Sequence, residues 1–305
     1  MELREARTLV LLAAEGSIAR VAGLLHRTPA AVFKQLKNLE QEWGVRLYEK
    51  RGRGLQLAPS AAVVLPYLRE MIHLNDAARS ALEEWKGLRR GVLRIGSGPT
   101  LASYVLPDLL RKFRRRHPRI ELQIQTGNSQ WLLANLRAGA FDIVLLVSSG
   151  SDEDPDFETV MEWPFEILLV SNLLETPRRC RLRSLKAFPF VLYKKGSRIE
   201  TLIDHYFHSC GFHPEVTMRF DSAEAIKAMV AMGLGISMLP LWSVRAELRA
   251  GDLHLIRQRE QPLIARFSLV SRKTAVASRH LEAFLQTARA FEPDGARRVH
   301  TKTPA

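Results

Sequence analysis

The chain has 305 residues, 46% hydrophobic and 25% charged, and its 45 Lys and Arg against 32 Asp and Glu give a formal net charge of +13. That composition excludes collagen-like, low-complexity and intrinsically disordered classes. Two cysteines, Cys180 and Cys210, exclude a disulfide framework and fit the reducing cytoplasm. The length is that of two or three folded units, and a basic balance points to nucleic acid or small anions as partners. No secretory leader is read at the N-terminus, and the longest nearly apolar stretch, Ala228 to Trp242, is too short and too interrupted to span a membrane.

Leu3, Ala6, Leu9, Val10 and Ala13 recur at helical spacing until Glu15-Gly16 ends the pattern. Ser17 then caps a second short helix with Ile18, Val21, Ala22 and Leu25 inward. Thr28 is a good N-cap and Pro29 fits the first helical position, where its missing N–H costs nothing. The third helix therefore starts at Pro29. Its apolar stripe of Val32, Leu36, Leu39 and Trp43 leaves Ala30, Phe33, Lys34, Lys37 and Asn38 on other faces. Next, Val45 to Tyr48 and Leu55 to Leu57 flank Arg51-Gly52-Arg53-Gly54, a small basic hairpin. These are the parts of a winged helix-turn-helix, which sets its second helix in the major groove and its wing on the backbone. A helical hairpin with a solvated basic face would show the same stripes, and both readings stay open at this point.

From Pro59 to about Leu88 the residues Ala61, Val64, Leu68, Met71, Asn75, Ala78, Leu82 and Trp85 are spaced alternately by three and four, a heptad seam. A helix roughly 45 Å long outruns the small domain before it. It is expected to pair with a second copy through Leu68, Met71, Asn75, Leu82 and Trp85, the amide of Asn75 setting the register, the alternative being a helix packed on its own chain.

Beyond Gly91 strands and helices alternate. Val92 to Gly96, Ile120 to Ile124 and Phe141 to Val147 read as strands, separated by helices over Tyr104 to His117 and Trp131 to Ala138. A second set has strands at Phe165 to Val170, Phe190 to Tyr193, Glu215 to Met218 and Gly235 to Leu239, with helices at Ile199 to Ser209 and Ala223 to Met232. Two α/β lobes with parallel strands imply a cleft beyond the carboxyl ends of the strands. The loops there, Gly96 to Thr100, Thr126 to Ser129 and Lys194 to Ser197, offer hydroxyls, amides and helix N-termini suited to a carboxylate or phosphate.

Other chemistries leave weaker traces. His205, His208, Cys210 and His213 lie close enough in sequence for a zinc site, and Cys180 with Cys210 could form a redox pair, although nothing near Cys180 except Arg178, Arg179 and Arg181 would lower its pKa. No nucleophile elbow, P-loop, zincin motif or dinucleotide fingerprint is present, so catalysis is not expected. A solute-binding receptor would account for the two lobes but not for residues 1–58.

The chain resembles the LysR-type transcriptional regulators over nearly its whole length. The residues that carry this are Glu15-Gly16-Ser17, Leu24 through Val32, Gln35-Leu36, Leu39-Glu40, Gly44 through Tyr48 and Arg51 to Gly54. To these add Pro107 to Leu110, Phe113, His117-Pro118, Glu121-Leu122, Gly127-Asn128, Leu136 and Gly139 to Leu145. Ser222 to Ile226, Gly233 to Ile236 and Leu239-Pro240 complete the match.

The resemblance implies an α/β multidomain protein with no cofactor and no enzymatic activity. Its parts would be a winged helix-turn-helix over 1–58, a dimerising linker helix over 59–90, and a two-lobed effector domain like periplasmic binding proteins over 91–292. Lobe one would be 91–162 with 267–292, lobe two 163–266, and 293–305 a tail. Arg27, Thr28, Pro29, Ala31, Phe33, Lys34, Lys37, Arg51 and Arg53 would meet double-stranded DNA. Thr100, Asn128, Ser129, Gly196, Ser197 and Ser222 would hold a small, anionic effector. The chain would associate as a dimer or tetramer, with RNA polymerase a further candidate partner and no membrane.

Departures from the family pattern are local. Ala30 and Phe33 stand where serines are common, and Phe33 has two open roles, pressing on a thymine methyl or, the one favoured, folding back onto the first helix and contacting no DNA. Ala58-Pro59-Ser60-Ala61 lacks the usual threonine and glycine, and Arg198 follows Gly196-Ser197, adding a cation beside the cleft. Only 15 of the Lys and Arg, against 10 acids, fall in the first 90 residues, so placement rather than total charge marks the DNA-reading unit.

Overall fold

Three helices, Leu3–Glu15 (α1), Ile18–Leu24 (α2) and Pro29–Trp43 (α3), begin the chain and are followed by a hairpin of Tyr48–Arg51 (β1) and Gly54–Leu57 (β2) and by the long helix Pro59–Trp85 (α4). The computed structural model describes residues 1–51, 54–85, 91–148, 154, 156–273 and 278–293. One unit holds Met1–Gly91 with Arg137–Ala140, and the other holds Val92–Leu136 with Phe141–Ala305.

Local chemistry sets the helix ends in the first unit. Gly16 closes α1 at φ 63°, a left-handed value that only glycine takes without cost. Ser17 Oγ accepts from the Arg20 N–H to cap α2, and Thr28 Oγ1 accepts from the Ala31 N–H to cap α3 behind Pro29. The apolar stripes of α1, α2 and α3 converge on one core with Leu47, and α4 joins it through Ala61, Leu65 and Leu68. Pro66 interrupts the hydrogen bonding inside α4, yet the helix persists, with Leu65 and Leu68 packed into that core.

The second unit starts with Val92–Ser97 (β3), Pro99–Tyr104 (α5), Leu106–Arg116 (α6), Glu121–Thr126 (β4), Ser129–Arg137 (α7) and Ile143–Val147 (β5). Phe157–Ser171 (β6), Arg179–Cys180 (β7), a 3-10 turn at Leu182–Leu185, Pro189–Tyr193 (β8), Arg198–Ser209 (α8), Glu215–Phe220 (β9) and Ala223–Ala231 (α9) follow. The last elements are Ile236–Pro240 (β10), Leu241–Ala250 (α10), His254–Leu255 (β11), Arg257–Gln258 (β12), Leu263–Arg272 (β13) and Arg279–Arg289 (α11).

Among the described residues nine strands form one sheet in the order β4-β3-β5-β13-β6-β10-β8-β9, with β11 also on β6. Its outer parts are parallel, β4 with β3 and β3 with β5 at one side, β8 with β9 and β10 at the other. The long strands β6 and β13 run antiparallel through the middle. Phe267 to Ser271 of β13 pair with β5, whereas Ile167 to Ser171 of β6 pair with β10, so each long strand serves both halves. The expected strand at Phe165 to Val170 is thus only the second half of β6, and β13 with the helices α10 and α11 was not read from the pattern.

Close packing holds this sheet. Trp163 of β6 stacks on Phe267 of β13 with ring centroids 5.2 Å apart, and its indole N–H donates to the Phe291 carbonyl at 3.2 Å. At Gly96 in β3 a Cβ would sit 2.8 Å from Leu132 and 2.9 Å from Phe141 and Val144. Only a missing side chain lets α7 approach the strand there. No helix among the described residues is long and apolar enough to cross a membrane.

Candidate functional site

The first candidate surface is the outer face of α3. Arg27, Thr28, Pro29, Ala30, Phe33, Lys34, Lys37 and Asn38 are exposed and Ala31 is half-buried, while Val32, Leu36 and Leu39 are buried. A helix end with unpaired N–H groups, two lysines one turn apart and an amide can follow an anionic backbone and reach base edges. The helix is fixed from behind, where the buried Thr8 hydroxyl of α1 lies 2.8 Å from Gln35 Oε1.

Glu40 ties α3 to the wing by accepting from the Leu47 N–H at 2.7 Å and the Tyr48 N–H at 3.4 Å. Burial, reinforced by the Glu40 carboxylate, pushes the Tyr48 phenol up to about 12. Phe33 packs its ring against Tyr48 of the wing with centroids 5.9 Å apart, edge to face. This corrects the expectation that Phe33 folds onto α1. On α3 it lies beside Lys34 and Lys37, away from the Val32 and Leu36 stripe that meets α1, and the wing is the nearer apolar neighbour. Arg51 pairs with Gly54 at the wing tip, but the Arg51 side chain and all of Arg53 lie outside the described residues.

The seam expected along α4 divides between two faces. Leu68 is only 2% exposed and belongs to the core of the first unit, so its assignment to a dimer seam is corrected. Met71 and Leu82 are exposed, and with them Val63, Tyr67 and Leu74, at successive spacings of four, four, three and eight along 63, 67, 71, 74 and 82. Asn75 is half-buried, and the Trp85 side chain lies outside the described residues.

The second candidate site is a cavity of about 500 Å³ in the second unit, where the first turns of α5, α7 and α8 meet the ends of β5 and β8. Thr100, Asn128, Ser129, Gly196 and Ser197 all line it. Ser222 does not. It occupies the N-cap position of α9, and its neighbour Asp221 lines the cavity in its place. Two of the expected hydrogen-bonding side chains are already engaged as caps, Asn128 Oδ1 accepting from the Trp131 N–H at 2.8 Å and Ser197 Oγ from the Glu200 N–H at 3.2 Å. They present helix N-termini, whose first N–H groups have no partner within the helix. Gly196, at φ 87°, turns the chain into α8. Arg198 reaches across to donate to the Val147 carbonyl at 2.8 Å, so the cation read from the sequence also braces the cavity.

Tyr193, at the end of β8, was not singled out from the sequence, where it reads as one more apolar strand residue. It lines the cavity and is 3% exposed, yet among the described residues its hydroxyl has no hydrogen-bond partner. Burial pushes its phenol far above the ordinary range, opposed by the neighbouring Thr100 hydroxyl.

The bacterial regulatory helix-turn-helix model of the lysR family matches residues 3–62, and the LysR substrate binding domain model matches residues 86–292. The chain belongs to the LysR family of transcriptional regulators. It is similar to the HTH-type transcriptional regulator CfxR of Cupriavidus necator, 30% identical over 292 residues that cover 93% of this chain and 91% of that protein. Its fold is shared with full-length OxyR from Pseudomonas aeruginosa at a TM-score of 0.76 and 20% identity, covering 100% and 99% of the two chains. It is shared also with the effector binding domain of QuiR in complex with shikimate, at a TM-score of 0.57 and 20% identity, over 65% of this chain and 95% of that one.

This LysR-family chain is a DNA-binding regulator and not an enzyme. The competing constellations do not assemble in it. His205 and His208 are exposed on α8, and the His208 and His213 rings are 6.0 Å apart. No group of three His, Cys, Asp or Glu among the described residues could hold a metal ion. Cys180 and Cys210 are not joined in a disulfide, and burial, aided by Glu260 and opposed by Arg259, raises the Cys180 pKa. Arg178, Arg179 and Arg181, the sequence neighbours that could have lowered it, are not among these causes, and desolvation of the thiolate prevails.

Proposed function

We propose that this regulator binds a small organic acid in the cavity lined by Thr100, Asn128, Ser129, Gly196, Ser197 and Tyr193, and reads its operator with α3 and the wing, in the cytoplasm where its DNA lies. The observation that carries the effector reading is the buried Tyr193 hydroxyl. A polar atom kept from water without a partner costs about 1–3 kcal/mol, a cost that a ligand oxygen in the cavity removes. The first turns of α7 and α8 favour a carboxylate, while Leu101, Leu133, Val147 and Ile199 contact a carbon skeleton. Asp221, at the same cavity, suits a hydroxyl or ammonium on the same molecule. Shikimate, which the QuiR domain holds, combines a carboxylate with hydroxyls and is of the size this cavity admits.

Binding between the parts of the sheet that β6 and β13 link would favour one arrangement of the effector domain by the difference in its affinity for the two, and so shift the regulatory state. Lys34 and Lys37 follow the phosphates. The apolar stripe Val63, Tyr67, Met71, Leu74 and Leu82 of α4 pairs with a second copy, giving the two-fold symmetry that a helix-turn-helix regulator needs for two half-sites.

A thermal-shift screen of the full chain against small carboxylic acids, their amides and inorganic phosphate tests this. Stabilisation by a subset of acids, reduced about tenfold in affinity in Tyr193→Phe, is expected. Equal stabilisation by acid and amide, or a Tyr193→Phe variant that binds as well as the parent, would count against it.

A further inference from the structure

Phe33 is the one large apolar side chain exposed on the groove-reading face of α3. It is 44% exposed, with Ala30 and Lys37 one turn to either side on the same face and Lys34 next to it, all exposed. A side chain serving only to join α3 to the wing would turn its surface inward, yet nearly half of Phe33 is left open to solvent. The other part is held: the Tyr48 ring meets it edge to face at 5.9 Å, and Tyr48 is anchored through Glu40, which accepts from the main-chain N–H groups of Leu47 and Tyr48. The ring is therefore pre-organised, and little side-chain entropy remains to be lost when its open face meets a partner. In the major groove the one apolar group on a base edge is the C5-methyl of thymine. Lys34 and Lys37, beside and one turn beyond the ring, can hold the phosphates and set its depth in the groove.

We propose that Phe33 is a specificity-determining residue of this regulator, reading a thymine in each half-site through contact with the C5-methyl group. Serine or alanine at this position would leave that base pair unread. The contact requires no hydrogen bond, so it discriminates thymine from uracil as well as from cytosine.

The proposal rests on α3 being the groove-reading helix, and its test separates the two. Full-length protein is used to select sites from a randomised duplex pool, and each thymine of the selected site is then replaced in turn by uracil in synthetic duplexes. One thymine per half-site is expected at which uracil weakens wild-type binding about fourfold, the value of burying one methyl group. Phe33→Ala should bind the thymine and uracil duplexes equally, and Phe33→Leu should keep part of the preference. A wild type indifferent to uracil at every position overturns the proposal whatever the variants do, as does a Phe33→Ala variant that keeps the full thymine preference. A wild type that selects no sequence overturns the assignment of α3 itself.

Discussion

Lys227 Nζ donates a 2.9 Å hydrogen bond to the Tyr104 hydroxyl, tying α9 to the end of α5, the helix whose first turn lines the effector cavity. The same ammonium lies 2.8 Å from Glu247 and 2.9 Å from Glu224 and also reaches the Ser243 carbonyl at 3.3 Å. Burial by itself would lower the Lys227 pKa, but Glu247 and Glu224 reverse the sign and it is raised. The cation is thus the hub at which α5, α9 and α10 meet.

Removing it leaves Glu247 largely buried without its counter-charge. Lys227→Met, which keeps the volume of the stem, is expected to destabilise the effector domain by about 1–3 kcal/mol. Differential scanning calorimetry of the full chain measures it, and an unchanged Tm would show that solvent replaces the lysine.

A pH dependence follows from His254. Its Nε2 is 2.7 Å from Thr176 Oγ1, which itself donates to the Leu173 carbonyl at 2.6 Å, so the neutral ring donates to Thr176. Desolvation, and then the charge of Arg178, lowers the His254 pKa. Protons therefore bind the unfolded histidine first. The stability contributed by the neutral ring is complete above the unfolded pKa of about 6.5 and is lost as pH falls through the lowered folded value. Thermal melts between pH 7.5 and 5 should show a decline that is shallower in His254→Gln.

The two faces of α4 separate by mutation. Leu68→Ala opens a cavity in the core of the first unit and is expected to cost about 2–5 kcal/mol of its stability, read by chemical denaturation. Tyr67→Glu and Leu74→Glu place charge on the exposed stripe and should leave that stability within about 0.5 kcal/mol while driving the protein to monomers in sedimentation velocity. Loss of folding in the glutamate variants, or dimers that survive them, would remove the stripe as the interface.

Gly96→Ala tests the close approach of α7 to β3. The added methyl meets Leu132, Phe141 and Val144 at once, and overpacking of this kind costs about 1–3 kcal/mol. Urea titration of the full chain is the measurement, with a loss below 0.5 kcal/mol showing that α7 shifts freely.

Much of the first unit was legible because its signals are local. Ser17, Thr28 and Pro29 mark helix starts through bonds made within three residues, and Gly16 and Gly44 end helices by taking a left-handed φ. The spacing along α4 was less informative. It identifies a helix with apolar residues on more than one face, but not which face meets the core, and Leu68 and Met71, three residues apart, went to opposite fates. At the cavity the turn residues Thr100, Asn128, Ser129, Gly196 and Ser197 were found from their types, whereas Ser222 was named one position away from Asp221. Tyr193 is not legible in the sequence, since a tyrosine ending an apolar strand looks like any core residue until the fold leaves its hydroxyl without a partner among the described residues.

By itself the sequence determined the family, most of the order of the elements and the two candidate surfaces, because capping, periodicity and motif spacing act over a few residues and survive in one dimension. Only the tertiary structure decided which side of α4 is open, that Phe33 leans on Tyr48 rather than on α1, that β6 and β13 cross antiparallel through the sheet, and that Cys180 is raised rather than activated. Each of these depends on burial against residues far away in the chain, and desolvation and packing have no value until those neighbours are in place.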